Sequence, residues 1–342
     1  MTEKTFRAAV LHKIGEPLSI EDLYFPELTS GQVLVENRLS GVCRSQLMEI
    51  QGARGEDKWL PHLLGHEGYG IVREISSDVK KVVPGDLVIT SWIKGSGIDA
   101  ATPKYKSVKN ISVNAGSITT FSEFSVISEN RIFLAPKGFD EEILSLFGCA
   151  LLTGAGMVLS FLGDASNKRI AVYGFGGVGA SAAVVLHGMK PQELCIIEKS
   201  TQRRNRAIEL GFMNVLSPDD VSLKNKRFDF CFEAAGETSS IEAAWDLLDT
   251  KGTLVFASHP AKGQKISLNP YELIEGKKIY GTWGGNVDPD EDLERIASLL
   301  RNIDLDLHKF LGEKFSISDV NSAISYLNSG KPGRPILDFR KA

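Results

Sequence analysis

The chain has 342 residues, enough for two domains that each bury a core of their own. Its formal net charge of -4 leaves no basic excess to neutralise phosphates, which argues against a nucleic-acid-binding surface. The first residues contain no apolar signal core and charges interrupt the apolar runs, so we expect a cytoplasmic protein without a membrane segment. Cys43, Cys149, Cys195 and Cys231 lie far apart, which is not the spacing of a disulfide framework.

Short strands separated by turns dominate residues 1–150. A β-branched run at 33–38 follows a Ser-Gly turn, and the run at 82–89 contains a Pro-Gly-Asp turn. No long helical period begins before residue 141. These features predict an all-β, barrel-like domain.

After about residue 153, apolar runs alternate with helical segments. The expected strands lie at 169–173, 194–198, 228–233, 252–256 and 278–281, and the expected helices at 202–210, 239–248 and 290–301. The run at 169–173 lacks polar alternation, as expected of a strand that is covered on both faces. This pattern predicts a doubly wound parallel sheet.

A glycine-rich turn follows the first of these strands and opens a helix of small residues. Gly174, Gly176 and Gly179 have the spacing of a dinucleotide-binding fingerprint, in which phosphates lie at a helix N-terminus. Glu198 ends the next strand, where a carboxylate can hold the ribose hydroxyls and repel a 2′-phosphate. This favours NAD over NADP. Four basic residues near Glu198 can mask this repulsion, or simply form a solvated basic start of a helix: Lys199, Arg203, Arg204 and Arg206.

Two cysteines and a histidine in the first half form a candidate metal site. Cys43, His66 and Cys149 make the Cys₂His set of catalytic zinc sites, which leave one coordination position open. Their wide spacing differs from the close pairs of structural zinc sites. Each cysteine taken alone also fits a plain core position, because free cysteine is among the most buried residue types.

The stretches 41–45, 65–72, 84–88, 146–156 and 172–179 occur in the order found in zinc-containing alcohol dehydrogenases of the medium-chain dehydrogenase/reductase superfamily. The resemblance extends over nearly the whole chain. It implies a GroES-like barrel catalytic domain at 1–151 and 286–342, and a Rossmann coenzyme domain at 152–285. It also implies a homodimer or homotetramer.

The resemblance implies roles for individual residues around the metal. Cys43, His66 and Cys149 resemble the ligands of one catalytic zinc. Glu67 resembles a carboxylate that approaches the metal, and Ser45 resembles the hydroxyl that receives the alcohol proton. Trp92 resembles an aromatic wall of the substrate pocket, although a packed core aromatic is an equally ordinary interpretation.

The resemblance also implies which residues contact the cofactor. Arg44 and Arg334 resemble guanidiniums that meet the pyrophosphate, a task suited to the bidentate geometry of arginine. Arg203 resembles a basic residue near the adenosine ribose, and Thr153 a residue under the nicotinamide. The expected cofactor-binding set is Arg44, Thr153, Gly174, Gly176, Gly177, Val178, Gly179, Glu198, Arg203 and Arg334.

The chain departs from the family pattern at two places. Residues 91–120 contain none of the four close cysteines of the second zinc lobe, so we expect one zinc per chain and a loop held by packing. Met48 stands where some relatives have a proton-relaying histidine, and Gln46 where an aspartate usually supports the zinc-binding histidine. The proton exit and the orientation of His66 are therefore altered here.

These features predict a zinc-dependent enzyme that transfers hydride between NAD(H) and a primary or secondary alcohol, aldehyde or ketone. The alternatives are a zinc-free quinone or enone reductase on the same fold and a non-catalytic NAD-binding relative. The joint presence of Cys43, His66, Cys149 and Ser45 counts against both. Polar residues in the 91–120 lobe favour a hydroxylated or charged small-molecule substrate.

Overall fold

The structure, a computed structural model, describes residues 4–261 and 263–340. Its strands are β1 (Thr5–Leu11), β2 (Ser19–Tyr24), β3 (Gln32–Gly41), β4 (His62–Leu63), β5 (Glu67–Ile75), β6 (Leu87–Ser91), β7 (Lys104–Ser107), β8 (Ser112–Asn114), β9 (Phe124–Ser128), β10 (Ile132–Leu134), β11 (Arg169–Tyr173), β12 (Glu193–Ile197), β13 (Val215–Leu216), β14 (Phe228–Glu233), β15 (Leu248–Phe256), β16 (Lys278–Gly281), β17 (Leu311–Phe315) and β18 (Arg334–Asp338). Its α-helices are α1 (Arg44–Ile50), α2 (Glu141–Leu144), α3 (Leu152–Leu159), α4 (Gly177–Met189), α5 (Thr201–Glu209), α6 (Thr238–Asp246), α7 (Pro270–Ile274), α8 (Pro289–Arg301) and α9 (Val320–Asn328).

The chain divides into two compact units. The first contains the residues up to Cys149, Asp288–Glu291 and the residues from Leu311 onward, and the second contains Ala150–Val287 and Asp292–Phe310. The sequence analysis expected the chain to rejoin the catalytic domain at residue 286. In the structure it rejoins the first unit at Asp288, but the segment Asp292–Phe310 packs within the second unit. The reason lies in α8, whose Leu293, Ile296, Ala297 and Leu300 form a buried stripe at helical spacing.

The first unit contains the barrel that the strand pattern predicts. Five strands close in the order β1-β2-β7-β8-β4, around a core that includes Phe6, Leu23 and Val113. A second sheet runs in the order β10-β6-β5-β3-β18-β17, with β9 paired to β3. In this sheet β3 lies between β5 and β18. Cys43 follows β3, His66 precedes β5, and Glu67 and Arg334 are the first residues of β5 and β18.

The second unit is a parallel sheet with helices between its strands, which confirms the Rossmann prediction. Its six strands run in the order β13-β12-β11-β14-β15-β16, and each neighbouring pair is parallel. β11 is nearly all buried, as expected for a central strand of unbroken apolar residues. None of the helices in the described ranges is long and apolar enough to cross a membrane.

Two carboxylates, the buried Glu129 and the exposed Asp290, hold the cysteine-free lobe that begins at the end of β6. Glu129, only 3% exposed, accepts hydrogen bonds from the backbone N–H groups of Lys80, Lys81 and Ile98, at 2.7, 2.9 and 2.8 Å. Asp290 also accepts from the backbone N–H of Ser96, and it pairs with Lys81. Polar anchoring, in addition to the expected packing, therefore fixes this lobe to the body of the first unit.

Glu129→Gln should destabilise the first unit by about 1–3 kcal/mol. The amide NH₂ of glutamine would face a backbone N–H that donates to a carboxylate oxygen in the unaltered protein, and this donor would lose its acceptor. The measurement is urea unfolding, with the exposed Glu74→Gln as the matched control. Backbone hydrogen bonds outweigh burial and lower the pKa of Glu129 below its usual 4.5. The ionised carboxylate of Glu129 therefore makes its whole contribution to the free energy of unfolding above about pH 5, and this contribution is lost as the pH falls through the lowered pKa. Equal unfolding free energies for both variants would contradict this account.

Candidate metal centre and dinucleotide loop

Cys43 lies at the junction between β3 and the short helix α1. It occupies the N-cap position of that helix in an extended conformation, and its carbonyl accepts from the backbone N–H of Gln46 at 3.0 Å. The preceding Val42 donates its backbone N–H to Pro335 in β18 at 2.9 Å. Cys43 is thus held on a short, tightly anchored turn.

His66 lies in the turn that leads into β5. The preceding Gly65 has a φ of +91°, and a Cβ at that position would lie 2.4 Å from Thr120 Oγ1 and 2.8 Å from the Phe121 backbone nitrogen. A glycine is therefore required here for two reasons, the left-handed backbone conformation and the close approach of the segment that contains Thr120 and Phe121. This packing fixes the backbone position from which the His66 side chain extends.

Cys149 lies in a π-helical turn, Phe147–Leu151, a local geometry that recurs at functional sites. A Cβ on Gly148 would lie 2.1 Å from the Thr90 carbonyl oxygen, so the turn packs directly against β6. Ser91 donates its hydroxyl to the Gly148 carbonyl at 2.6 Å. The position of Cys149 is consequently set by β6.

The three predicted ligands converge. The ligand atoms of Cys43, His66 and Cys149 all lie within 4.8 Å of one another. His66 Nε2 is buried and has no hydrogen-bond partner in the described part of the chain. A hydrogen bond from the Cys149 thiol lowers the pKa of Cys43 well below its usual value, against the effect of burial, and the charges of Arg334 and His66 add to the lowering. These donors fit a thiophilic, imidazole-binding cation such as zinc.

Glu67 and Arg334 form a buried ion pair beside these ligands. The Nε of Arg334 donates to Glu67 Oε1 at 2.7 Å and its Nη2 donates to the same oxygen. The two side chains are 0% and 8% exposed. Burial raises the pKa of Glu67, and the charge of Arg334 opposes this shift. The sequence assigned Arg334 to a pyrophosphate; in the structure, part of its guanidinium is already engaged by Glu67.

The side chains of Gln46 and Trp92 contact His66. The amide of Gln46 lies 2.9 Å from His66 Nδ1, and its Oε1 lies 3.5 Å from the hydroxyl oxygen of Ser45. The ring of Trp92 stands edge-on to the imidazole, with 6.4 Å between centroids. Met48 is half-buried one turn further along the same helix. The structure therefore brings Gln46 and Trp92 to the side chain that the sequence analysis proposed as a ligand, and it places the Ser45 hydroxyl beside the amide of Gln46.

A second group of potential ligands, Glu49, Asp57 and His62, differs from the first. Both ring nitrogens of His62 are engaged, Nδ1 with the Leu63 carbonyl and Nε2 with Asp57 Oδ2, each at 2.8 Å. A histidine that is satisfied at both nitrogens needs no metal. His66, with its partnerless Nε2, is the contrasting case.

The glycine-rich turn in the second unit has the geometry that its spacing predicts. Gly174 has a φ of +93°, and a Cβ on Gly179 would lie 1.9 Å from the Gly174 carbonyl oxygen. Nothing lies within 4 Å of the place where a Cβ of Gly176 would stand, at the N-cap of α4. That open position, above the free N–H groups of Gly177 and Val178, fits a phosphate.

Glu198 is tied to this turn. Its two carboxylate oxygens accept from the backbone N–H groups of Phe175 and Ser200, at 2.7 and 2.8 Å, and the residue is 4% exposed. Nearby, Lys199 pairs with Glu237, while Arg204 donates to the carbonyl oxygens of Glu198 and Lys199.

The other expected cofactor residues lie at three places. Arg203 is half-buried in the first turn of α5, and Arg44 is exposed at the start of α1. Thr153 is buried in α3, and its hydroxyl has no hydrogen-bond partner among the described residues. An unsatisfied buried hydroxyl is consistent with a contact to a bound group.

Sequence reasoning missed Glu233, which is fully buried at the end of β14. Its carboxylate accepts from the backbone N–H groups of Ala235 and Gly236 and from the Ser240 hydroxyl. A Cβ on Gly174 would lie 2.7 Å from the Ala235 nitrogen, so Glu233 holds the turn against which the glycine loop packs. An acidic residue at the end of an aromatic-rich strand, directly before a Gly-containing turn, was the available signal.

Two family models and a full-length relative match this chain. Residues 29–137 match the family model of the alcohol dehydrogenase GroES-like domain, and residues 177–302 match that of the zinc-binding dehydrogenases. The chain is 26% identical to an S-(hydroxymethyl)glutathione dehydrogenase from Synechocystis sp., over 97% of this chain and 99% of the relative.

Two solved structures share the fold. Benzyl alcohol dehydrogenase from Acinetobacter calcoaceticus aligns with a TM-score of 0.87 at 20% identity, over 98% of this chain and 99% of the other. CAD from Helicobacter pylori, complexed with NADP(H), aligns with a TM-score of 0.78 at 20% identity, over 99% of each chain.

Proposed function

The chain belongs to the zinc-containing alcohol dehydrogenases of the medium-chain dehydrogenase/reductase superfamily, and we propose that it exchanges hydride between NAD(H) and an alcohol or carbonyl compound at one zinc. The observation that carries this proposal is the partnerless Nε2 of His66, which lies within 4.8 Å of the ligand atoms of Cys43 and Cys149. Three protein ligands leave a fourth position for substrate.

The zinc, when bound, supplies Lewis acidity toward the substrate oxygen. Around it, Ser45 receives the hydroxyl proton of an alcohol, and the edge of Trp92 limits the space beside His66. Glu67 stays paired with Arg334, which keeps its charge balanced in a buried environment. In this proposal Glu67 acts on the electrostatics of the ligands.

The cofactor is bound by the glycine-rich turn, with the pyrophosphate over Gly176 at the start of α4 and the adenosine ribose against Glu198. Arg44 and the remaining N–H groups of Arg334 are proposed for the pyrophosphate, Thr153 for the nicotinamide and Arg203 for the ribose. The carboxylate of Glu198 supports NAD over NADP, although the Helicobacter pylori structure contains NADP(H).

The substrate class is an alcohol and its aldehyde or ketone. The relatives named for S-(hydroxymethyl)glutathione and for benzyl alcohol both support this class and differ widely in polarity. Within the polar lobe, Ser91 is buried against Gly148, and Lys94 pairs with Asp99. These partners reduce the support for direct recognition of a charged substrate by Ser91, Lys94 or Asp99.

We expect one zinc per chain, because residues 91–120 contain no cysteine and both nitrogens of His62 are engaged. Metal analysis of freshly purified protein checks this number. Cys43→Ala should lose the metal and turnover but retain NAD binding, while Cys195→Ala, in the second unit, should retain the metal. Two tightly held zincs per chain in the unaltered protein would contradict the assignment.

Steady-state kinetics should give a higher kcat/KM with NAD than with NADP, because Glu198 faces the place where a 2′-phosphate would bind. Replacing Glu198 by Gln should reduce the ratio of the two kcat/KM values, because it removes the repulsion between the carboxylate and the 2′-phosphate of NADP. The exposed Glu209→Gln, at the far end of α5, is the control. A preference for NADP in the unaltered protein would mean that the nearby arginines outweigh the carboxylate.

Ser45→Ala should lower kcat by about 10²–10⁴-fold, because positioned proton transfer contributes that much. Met48→Ala, on the same helix, changes packing alone and should alter mainly KM. The pH profiles of kcat/KM for the two variants separate these effects. Near-full activity and an unchanged profile in Ser45→Ala would show that the proton leaves without Ser45.

We also propose a homodimer or homotetramer. Among the described strands β16 pairs only with β15 and so leaves one edge of the sheet open, and the exposed Ile274, Tyr280 and Trp283 lie at or near it. An unpaired edge with apolar neighbours is suited to pairing with a second copy. Sedimentation should give more than one chain per particle, and Tyr280→Lys should lower that number; a monomeric unaltered protein would refute it.

A further inference from the structure

We propose that Gln46 is a positioning residue whose single amide selects the metal-binding nitrogen of His66 and links that choice to Ser45. The inference rests on the proposed metal centre. Gln46 is 3% exposed, and its backbone N–H is bonded to the Cys43 carbonyl. The amide therefore sits on the turn that carries one ligand and contacts the ring of another.

The hydrogen bond at Nδ1 determines the proton on the opposite side of the ring. A neutral imidazole has one N–H and one lone pair. The amide nitrogen of Gln46 faces His66 Nδ1, an orientation that leaves the ring proton on Nε2, pointing into the partnerless space beside the thiols. Metal binding through Nε2 requires the reverse, with the proton on Nδ1 and an acceptor opposite it.

Gln46 can provide that acceptor without moving its neighbours. The oxygen and nitrogen of a side-chain amide occupy nearly equivalent positions, and the surrounding hydrogen bonds determine which faces which group. With the amide turned, Oε1 accepts from Nδ1–H, and the NH₂ group faces the Ser45 oxygen, 3.5 Å from the other amide position. Rotating the Gln46 amide thus places the ring proton on Nδ1, which leaves a lone pair on His66 Nε2 for the metal. The same rotation lets the amide NH₂ donate to the Ser45 oxygen, whose second lone pair can then accept from a substrate hydroxyl.

The neutral charge of the amide is part of the proposal. The centre already contains two thiols and the Glu67 carboxylate, with Arg334 as the compensating cation. A carboxylate at position 46 would accept from Nδ1–H and add a further negative charge near the metal. Gln46 therefore orients His66 without strengthening the attraction for the cation, so we expect a carboxylate here to tighten zinc binding.

Zinc affinity, measured by competition with a chromophoric chelator, tests the proposal independently of turnover. Gln46→Leu removes the acceptor and should weaken zinc binding by about 10–100-fold, the usual effect of losing a residue that orients a ligand. Gln46→Glu keeps the acceptor and should bind zinc at least as tightly as the unaltered protein. Met48→Leu, a packing change on the same helix, should stay within about twofold of the unaltered protein.

Cobalt substitution gives a second readout. The visible absorption of bound Co²⁺ should shift in Gln46→Leu and be restored toward the unaltered spectrum in Gln46→Glu, because the acceptor at Nδ1 is present again. Thermal unfolding of the metal-free variants shows whether the fold is intact. If Gln46→Leu folds and binds zinc as tightly as the unaltered protein, or if Gln46→Glu weakens binding as much as Leu, the proposal is wrong. Failure of the unaltered protein to bind zinc would instead refute the metal centre itself.

Discussion

The buried ion pair between Glu67 and Arg334 joins the strand ends that surround the candidate metal centre. Glu67 begins β5 and Arg334 begins β18, and β3 lies between these two strands. The carboxylate crosses the end of β3 at Gly41, where a Cβ would lie 2.3 Å from Glu67 Oε1. Cys43 follows β3 directly and His66 precedes β5, so one ion pair holds the strand ends from which two ligands emerge. Removing either partner would leave an uncompensated buried charge, at a cost of about 3–5 kcal/mol.

The same pair explains how several acidic groups share a small buried space. In the proposed function, the thiolates of Cys43 and Cys149 would balance the charge of a divalent zinc, and Arg334 balances Glu67, so the loaded centre would be neutral. The pKa of Cys43 is lowered in part by Arg334, which shows that the guanidinium also acts on the thiols. The ion pair therefore serves both the strand geometry and the electrostatics of the ligands.

Local patterns predicted the parts of the structure that depend on local physics. The apolar run of β11 and the glycines after it specify a buried parallel strand and a phosphate turn, because both requirements act over a few residues. The resemblance to a known family identified Cys43, His66 and Cys149 as one set. Their convergence depends on strand pairing between distant segments, which spacing alone does not encode.

Contacts between distant segments account for what was missed. Arg334 and Glu67 are 267 residues apart, and nothing in either local sequence indicates the other. Glu129 anchors the lobe through backbone N–H groups, which carry no sequence signal in the segments that donate. The amphipathic pattern of α8 predicted a helix but not the unit against which its apolar face packs.

The cofactor loop shows how one carboxylate can combine a structural task with a selective one. Both oxygens of Glu198 already accept backbone N–H groups, from the glycine turn and from the start of α5, so the residue links these segments before any ribose binds. A substitution that removes its charge to admit a 2′-phosphate would also loosen that link.

Among the four basic neighbours of Glu198, Lys199 is tied to Glu237, Arg204 to backbone carbonyls and Arg206 to the Lys309 carbonyl. Arg203 is the fourth. Among these basic side chains it is therefore the one at which a substitution would act on the cofactor while preserving the bonds of Glu198 to Phe175 and Ser200.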